Sequence, residues 1–199
     1  MKITAIKQQV KLKDRYSIFV DGEYSFSLGE SALLQSGIVN GQEVDAAGVL
    51  AYQKLSQDDK LFGKVLRYAT LRQRSLWEIT DYLHRKEVAD EDATKVIQKL
   101  SDYGYVNDHT FAEMWVQNRR LLKTTSRRKI ALELQQKHVP SDIIEAALAE
   151  DKVDVDERNV IRELAERKRS RYADKQKLMQ YLARQGFSYD DIKSVVSDL

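Results

Sequence analysis

The chain of 199 residues contains no cysteine. That excludes disulfides, thiolate zinc sites and cysteine nucleophiles, and it fits a reducing compartment. Its single proline is Pro140, and its eight glycines are scattered without the spacing of a phosphate-cradling or dinucleotide-binding loop. The three histidines, His84, His109 and His138, share no ligand-like spacing, and "HRKE" from His84 lacks the second histidine of a zinc helix. No apolar run approaches the ~18 residues of a membrane span. The first ten residues, "MKITAIKQQV", lack the apolar core of a signal peptide. A large charge excess is missing too, with 33 basic against 31 acidic side chains and a net charge of +2. Residues 1–60 carry 7 basic and 8 acidic groups, 61–109 carry 8 and 8, 110–150 carry 7 and 5, and 151–199 carry 11 and 10. No segment is basic overall, so any electropositive surface must be local. The expectation is a soluble cytoplasmic protein, a monomer, with no cofactor, no metal, no membrane contact and no catalytic activity.

Two compositions are present. Residues 1–44 read as a small β-hairpin unit. "RYSIFVDGEYSFSL" alternates around Asp21-Gly22, a pair suited to the two positive φ angles of a type I′ turn. "ITAIKQQVKL" predicts a further strand before it, and "SALLQSGI" a short helix stopped at Gly37. From about Asp45 the chain is rich in Ala, Leu, Lys, Glu, Arg and Gln, all good helix formers. It reads as a connecting helix over 45–60 and then helix after helix to the end.

Those helices repeat. "ITDYLHRKEVADEDATKVI" from Ile79 aligns without gaps on "IALELQQKHVPSDIIEAAL" from Ile130 and "LMQYLARQGFSYDDIKSVV" from Leu178. Ile79, Ile130 and Leu178 correspond, as do Leu83, Leu134 and Leu182 one helical turn later. Val88, Val139 and Phe187 follow a break, and Ala93, Ile144 and Ile192 begin a second amphipathic helix. Gly186 suits a left-handed position after the first of these helices, where Glu87 and His138 stand in the other copies. Ser141 and Asp142 are candidate caps for the helix that follows. With one more helix upstream of each pair, the units fall at 61–108, 109–152 and 153–199. The fold class expected is mainly α: three tandem three-helix repeats, stacked into an elongated curved rod because one unit hardly buries its own face.

The repeat gives meaning to two basic runs. "RRLLKTTSRRKI" from Arg119 holds six basic residues and no acid, and "RKRSRYADKQKL" from Arg167 holds six and one Asp. At an offset of 48, Arg119 falls on Arg167, Arg120 on Lys168, Lys123 on Arg171, Arg127 on Lys175 and Lys129 on Lys177. In the first repeat Arg67, Arg72 and Arg74 lie at the corresponding connection. Either these are solvated faces of charged helices, or they are a binding feature made more than once. Exposed cations of this kind should be replaceable at little cost to stability. Asp151, Asp154, Asp156 and Glu157 lack the glycine and terminal glutamate of a calcium loop and read as capping and linker residues. Trp77 and Trp115, at helical spacing beside Ile79 and Val116, read as core.

"RSLWEITDYLHRK", "LSDYGYVNDHTFAEMWVQNRR", "KIALELQQKHV" and "YLARQGFSYDDI" resemble the RecX family of recombinase regulators. Gly104, Tyr105, Asn107-Asp108, Phe111, Ala112, Trp115 and Arg119 stand as in that family's pattern. Glu87, His138 and Thr124-Thr125-Ser126 depart from it, replacing glycine-containing positions. The resemblance covers about 61–199. It implies a non-enzymatic protein that binds the RecA filament on single-stranded DNA, lies in its helical groove and inhibits ATPase, strand exchange and coprotease action. That would place it in homologous recombination, DNA repair and the SOS response. Arg72, Arg74, Arg119, Arg120, Lys123, Arg127, Arg128, Lys129, Arg167, Lys168, Arg169 and Arg171 are the expected contacts to filament or nucleic acid. The alternatives are a direct single-stranded nucleic-acid binder and a helical scaffold for another protein.

Overall fold

The protein is described from a computed structural model covering residues 1–122, 125–150, 157–172 and 174–199. Three antiparallel strands, β1 (Ile3–Gln8), β2 (Arg15–Val20) and β3 (Glu23–Gly29), form a sheet in the order β1-β2-β3. Asp21 and Gly22 at the β2–β3 turn have φ of 49° and 90°, as the Asp-Gly pair predicts. The inner face carries Ile3, Ile18, Phe26 and Leu28. Helix α1 (Glu30–Ser36) ends on left-handed Gly37 at φ 64°, and α2 (Ala46–Thr70) opens on Asp45, whose carboxylate accepts from the Gly48 amide. Leu33, Val49, Tyr52 and Leu55 close the core over the sheet. Arg15 pairs with Asp59 at 2.8 Å, tying β2 to α2. The connecting helix and the first helix of repeat one are thus a single element of 25 residues. No proline falls within it, and Gly63 near the junction does not end it.

The remaining helices are α3 (Leu76–Arg85), α4 (Asp90–Asp102), α5 (Asp108–Leu122), α6 (Arg127–Gln135), α7 (Ser141–Glu150), α8 (Glu157–Lys168), α9 (Lys175–Arg184) and α10 (Tyr189–Ser197). The chain divides into two compact units. One comprises residues 1–72 and 83–105, the other 73–82 and 106–199.

The aligned apolar positions are buried in repeats two and three. Ile130, Leu134, Val139 and Ile144 are at most 5% exposed, and Leu178, Leu182, Phe187 and Ile192 at most 4%. In repeat one Ile79 and Leu83 are buried, whereas Val88, Ala93 and Ile97 are only half-buried. Repeats two and three each enclose a core of their own. One gathers Phe111, Val116, Ile130, Leu134 and Ile144, the other Ile161, Leu164, Leu178, Leu182 and Ile192. The expectation that a unit hardly buries its own face is therefore corrected. Three short helices suffice because the third crosses back over the first, α7 on α5 and α10 on α8.

The break between the paired helices is one structure made three times. Glu87, His138 and Gly186 have φ of 54°, 54° and 89°. Val88 and Val139 each donate an amide bond to the carbonyl five residues back, Leu83 and Leu134, both at 3.2 Å. Ser141 is not a cap: α7 begins with it, and the Ile144 amide bonds to the Pro140 carbonyl at 3.0 Å, so Pro140 takes the N-cap place. Ser188 does cap α10, accepting from the Asp191 amide. Among the described residues no helix is long and apolar enough to cross a membrane.

Candidate functional site

The expected contact residues do not share one environment. Arg127 and Arg128 are exposed in the first turn of α6, behind the Ser126 cap. Arg167, Arg169 and Arg171 are exposed at and beyond the end of α8. The Arg169 guanidinium donates to the Leu199 carbonyl at 3.2 Å, and Arg171 sits 5.9 Å from the ring centre of Tyr172. Lys168 is half-buried in the last turn of α8. Arg72 is exposed just after α2, and Arg74 is half-buried before α3. Lys123 lies outside the described residues, as do Asp151, Asp154 and Asp156.

Arg119, Arg120 and Lys129 are built into the fold. Arg119 and the Trp115 indole N–H both donate to the Glu133 carboxylate, the indole at 2.9 Å. The Arg119 guanidinium lies over the Trp115 ring at 4.6 Å, and the Lys137 ammonium approaches the same ring at 5.7 Å. Arg120 donates to the Thr125 carbonyl at 3.0 Å, spanning the α5–α6 connection from its two sides. The Lys129 ammonium donates to the Arg184 carbonyl at 3.0 Å and to the Gln185 side chain at 3.1 Å.

The Lys129 bonds mark a joint between consecutive repeats, and such joints recur. Ser126 is fully buried; its hydroxyl accepts from the Lys129 amide, capping α6, and donates to the Gln185 carbonyl in the left-handed turn of repeat three. Ser75, 51 residues earlier, does the same. It is fully buried, accepts from the Glu78 amide at 3.3 Å and donates to the Lys137 carbonyl at 2.8 Å in the turn of repeat two. Each serine satisfies its own helix start and the next repeat's turn at once. A lysine contact flanks each joint. Glu78, 8% exposed, accepts from the Lys137 ammonium at 3.0 Å, whereas at the equivalent place Lys129 meets Gln185.

The joints differ at the turn residue. A Cβ at Gly186 would lie 2.5 Å from the Ser126 hydroxyl and 2.9 Å from the Lys129 Cβ, so close approach demands glycine there. In the other joint the place belongs to His138, whose ring stacks on Trp77 at 4.0 Å and 20°. Trp77 is therefore not core; it is 42% exposed. Sequence spacing could not show this, because its partner is 61 residues away on another repeat. Asp108 also serves here, accepting from the Leu76 amide at 2.7 Å; partial burial pushes its carboxyl above the usual range, against the opposing pull of that bond and of His109.

Between α6 and the α9–α10 turn lies a shallow groove of about 480 Å³, lined among others by Arg128, Lys129, Glu133 and Arg184. Arg184 belongs to neither basic run and meets Arg128 and Lys129 here only through the tertiary fold. No group of three or more His, Asp or Glu able to hold a metal occurs among the described residues.

A three-stranded N-terminal unit followed by three-helix repeats, joined by serine-capped turns and edged with arginines, defines a helical-repeat protein built to present surface. Comparison with known proteins gives the family. Models of the RecX N-terminal domain and of the first, second and third RecX three-helix domains match residues 1–45, 62–100, 107–148 and 156–196. The chain is 31% identical to the regulatory protein RecX of Bacillus pumilus over 98% of its own length and 76% of that protein's. It is 29% identical to that of Bacillus subtilis over 99% and 76%. It also resembles the crystal structure of a regulatory protein RecX (TM-score 0.76, 27% identity, 100% and 99% coverage) and that of RecX from Lactobacillus salivarius (TM-score 0.61, 27% identity, 71% and 96% coverage). The chain belongs to the RecX family of regulatory proteins.

Proposed function

We propose that this protein regulates the RecA recombinase by binding the RecA–single-stranded DNA filament in its helical groove and inhibiting ATP hydrolysis, strand exchange and coprotease action. The observation that carries the reading is family membership over nearly the whole chain. The exposed arginines add to it. Arg127 and Arg128 in repeat two and Arg167, Arg169 and Arg171 in repeat three stand at equivalent connections between the first and second helices of their repeats. A helical filament offers the same contact at regular intervals, and a repeat protein meets it with regularly placed charges. Arg72, Arg74 and Lys168 are proposed as secondary contacts. Arg119, Arg120 and Lys129 act by holding the connection and the joint.

The test is RecA ATP hydrolysis on single-stranded DNA with substoichiometric protein. Inhibition is expected, and an Arg127→Gln/Arg128→Gln variant should inhibit less while melting as the parent does. Unchanged hydrolysis together with unchanged strand exchange would refute the reading.

A further inference from the structure

The N-terminal unit carries a charge concentration hidden by averaging over 60 residues. Residues 1–20 hold five basic side chains, Lys2, Lys7, Lys11, Lys13 and Arg15, and one acidic, Asp14. Arg15 is consumed by Asp59. The others are exposed: Lys2 just before β1, Lys7 on it, and Lys11 and Lys13 in the β1–β2 loop.

Strand register sets what surrounds them. Ala5 faces Phe19, Lys7 faces Ser17, and Phe19 faces Tyr24, all on the side of the sheet away from the Ile18–Leu28 core. Around Phe19 that outer face holds two aromatic rings and a lysine, and further along β2 it carries Arg15, whose charge Asp59 balances. The Lys7 ammonium is 5.2 Å from the Phe19 ring centre, and Tyr24 meets Phe19 edge-on at 6.1 Å and 80°. Tyr24 is 54% exposed. The turn acid Asp21 accepts from the Lys2 amide at 2.7 Å, and exposed Glu23 precedes Tyr24 on β3. Beyond the sheet's end the loop lifts Val10 and Leu12 to 94% and 53% exposure, between Lys11 and Lys13. Neither apolar side chain belongs to the core of this unit.

We propose that the outer face of the N-terminal sheet and its β1–β2 loop bind single-stranded nucleic acid directly. Lysines at 7, 11 and 13 meet successive phosphates, and the open face of Tyr24, braced by Phe19, takes a base. A duplex hides its base faces, so the rings select a single strand. An acidic protein surface would use the lysines and leave the rings idle. None of these residues lies in the helical repeats, so this surface is separate from the proposed filament contacts. A filament regulator with it could hold free single strand beside the recombinase.

The experiment is fluorescence anisotropy of a labelled oligothymidylate with the full chain across a salt series. Binding with a steep salt dependence is expected. Lys7→Gln/Lys11→Gln/Lys13→Gln should flatten the log–log slope by about 2, from about 0.7 per phosphate contact. Tyr24→Ala should weaken binding roughly tenfold at every salt concentration, through lost stacking. Unchanged thermal melting of both variants excludes misfolding. No binding by the parent chain, or parental binding by both variants, overturns the proposal. So does capture by anionic phospholipid vesicles in place of the oligonucleotide, which Val10 and Leu12 would then explain. Loss of oligonucleotide binding only in the Arg127→Gln/Arg128→Gln variant would assign naked DNA to the repeats, overturning this proposal while leaving the filament reading intact.

Discussion

At the scale of single residues, three equivalent positions carry three different side chains in one left-handed conformation. Glu87 bears the steric cost of a Cβ at φ 54° and is exposed. Glu87→Gly should stabilise the protein by about 0.5 kcal/mol, the relief of strain outweighing the extra freedom of the unfolded chain. Urea denaturation measures it. Gly186→Ala should do the opposite, at a cost of about 2–4 kcal/mol, because backbone strain adds to overlap with Ser126 and Lys129. One carboxylate sets a pH response. The Ser188 hydroxyl and then the Arg158 guanidinium hold Asp191 below its usual value of 3.8. Its folded pKa is depressed, so the stability it contributes is present above that value and is lost as pH falls through the lower folded one. Melting between pH 5 and about 2 should therefore be flatter in Asp191→Asn than in the parent.

At the scale of elements, capping does two jobs where repeats meet and one where they do not. Ser126→Ala removes a helix cap and a bond to the next turn and should cost about 1–2 kcal/mol. Ser75→Ala should match it, since the bonds are the same in kind. Ser188 caps α10 without reaching another repeat, and its replacement by Ala should cost about 1 kcal/mol. Equal losses at all three serines in equilibrium unfolding would mean that the joint bonds add nothing.

At the scale of the whole molecule, the basic runs separate into cations that serve the fold and cations that stay exposed. The expectation that any of them is replaceable cheaply fails for Arg119, which is half-buried under Trp115 and shares the Glu133 carboxylate with it. Arg119→Gln should cost about 1–3 kcal/mol by leaving that carboxylate half-satisfied. Arg127→Gln/Arg128→Gln should stay within about 0.5 kcal/mol of the parent. Differential scanning calorimetry distinguishes the two. If filament inhibition follows the stability loss and not the exposed arginines, the proposed contacts are misassigned.

The hairpin, the helical remainder, the repeat register and its apolar positions were legible because they are local. An Asp-Gly turn, a helix face and a left-handed turn each depend on residues a few places apart, and their physics is already present in a short segment. The basic runs were legible as a pair, since two offset clusters of Lys and Arg stand out in any reading. Which of them face solvent was not. Arg119 and Arg128 look alike in the chain. One is taken by a tryptophan of its own helix and a glutamate from the neighbouring one, and the other is left exposed. Nor could spacing reveal that Ser75 and Ser126 reach across 62 and 59 residues, or that Trp77 leaves the core to stack on His138. Local pattern determined the elements. Tertiary structure decided the assignments, because burial and partnership are properties of surfaces that meet only after folding.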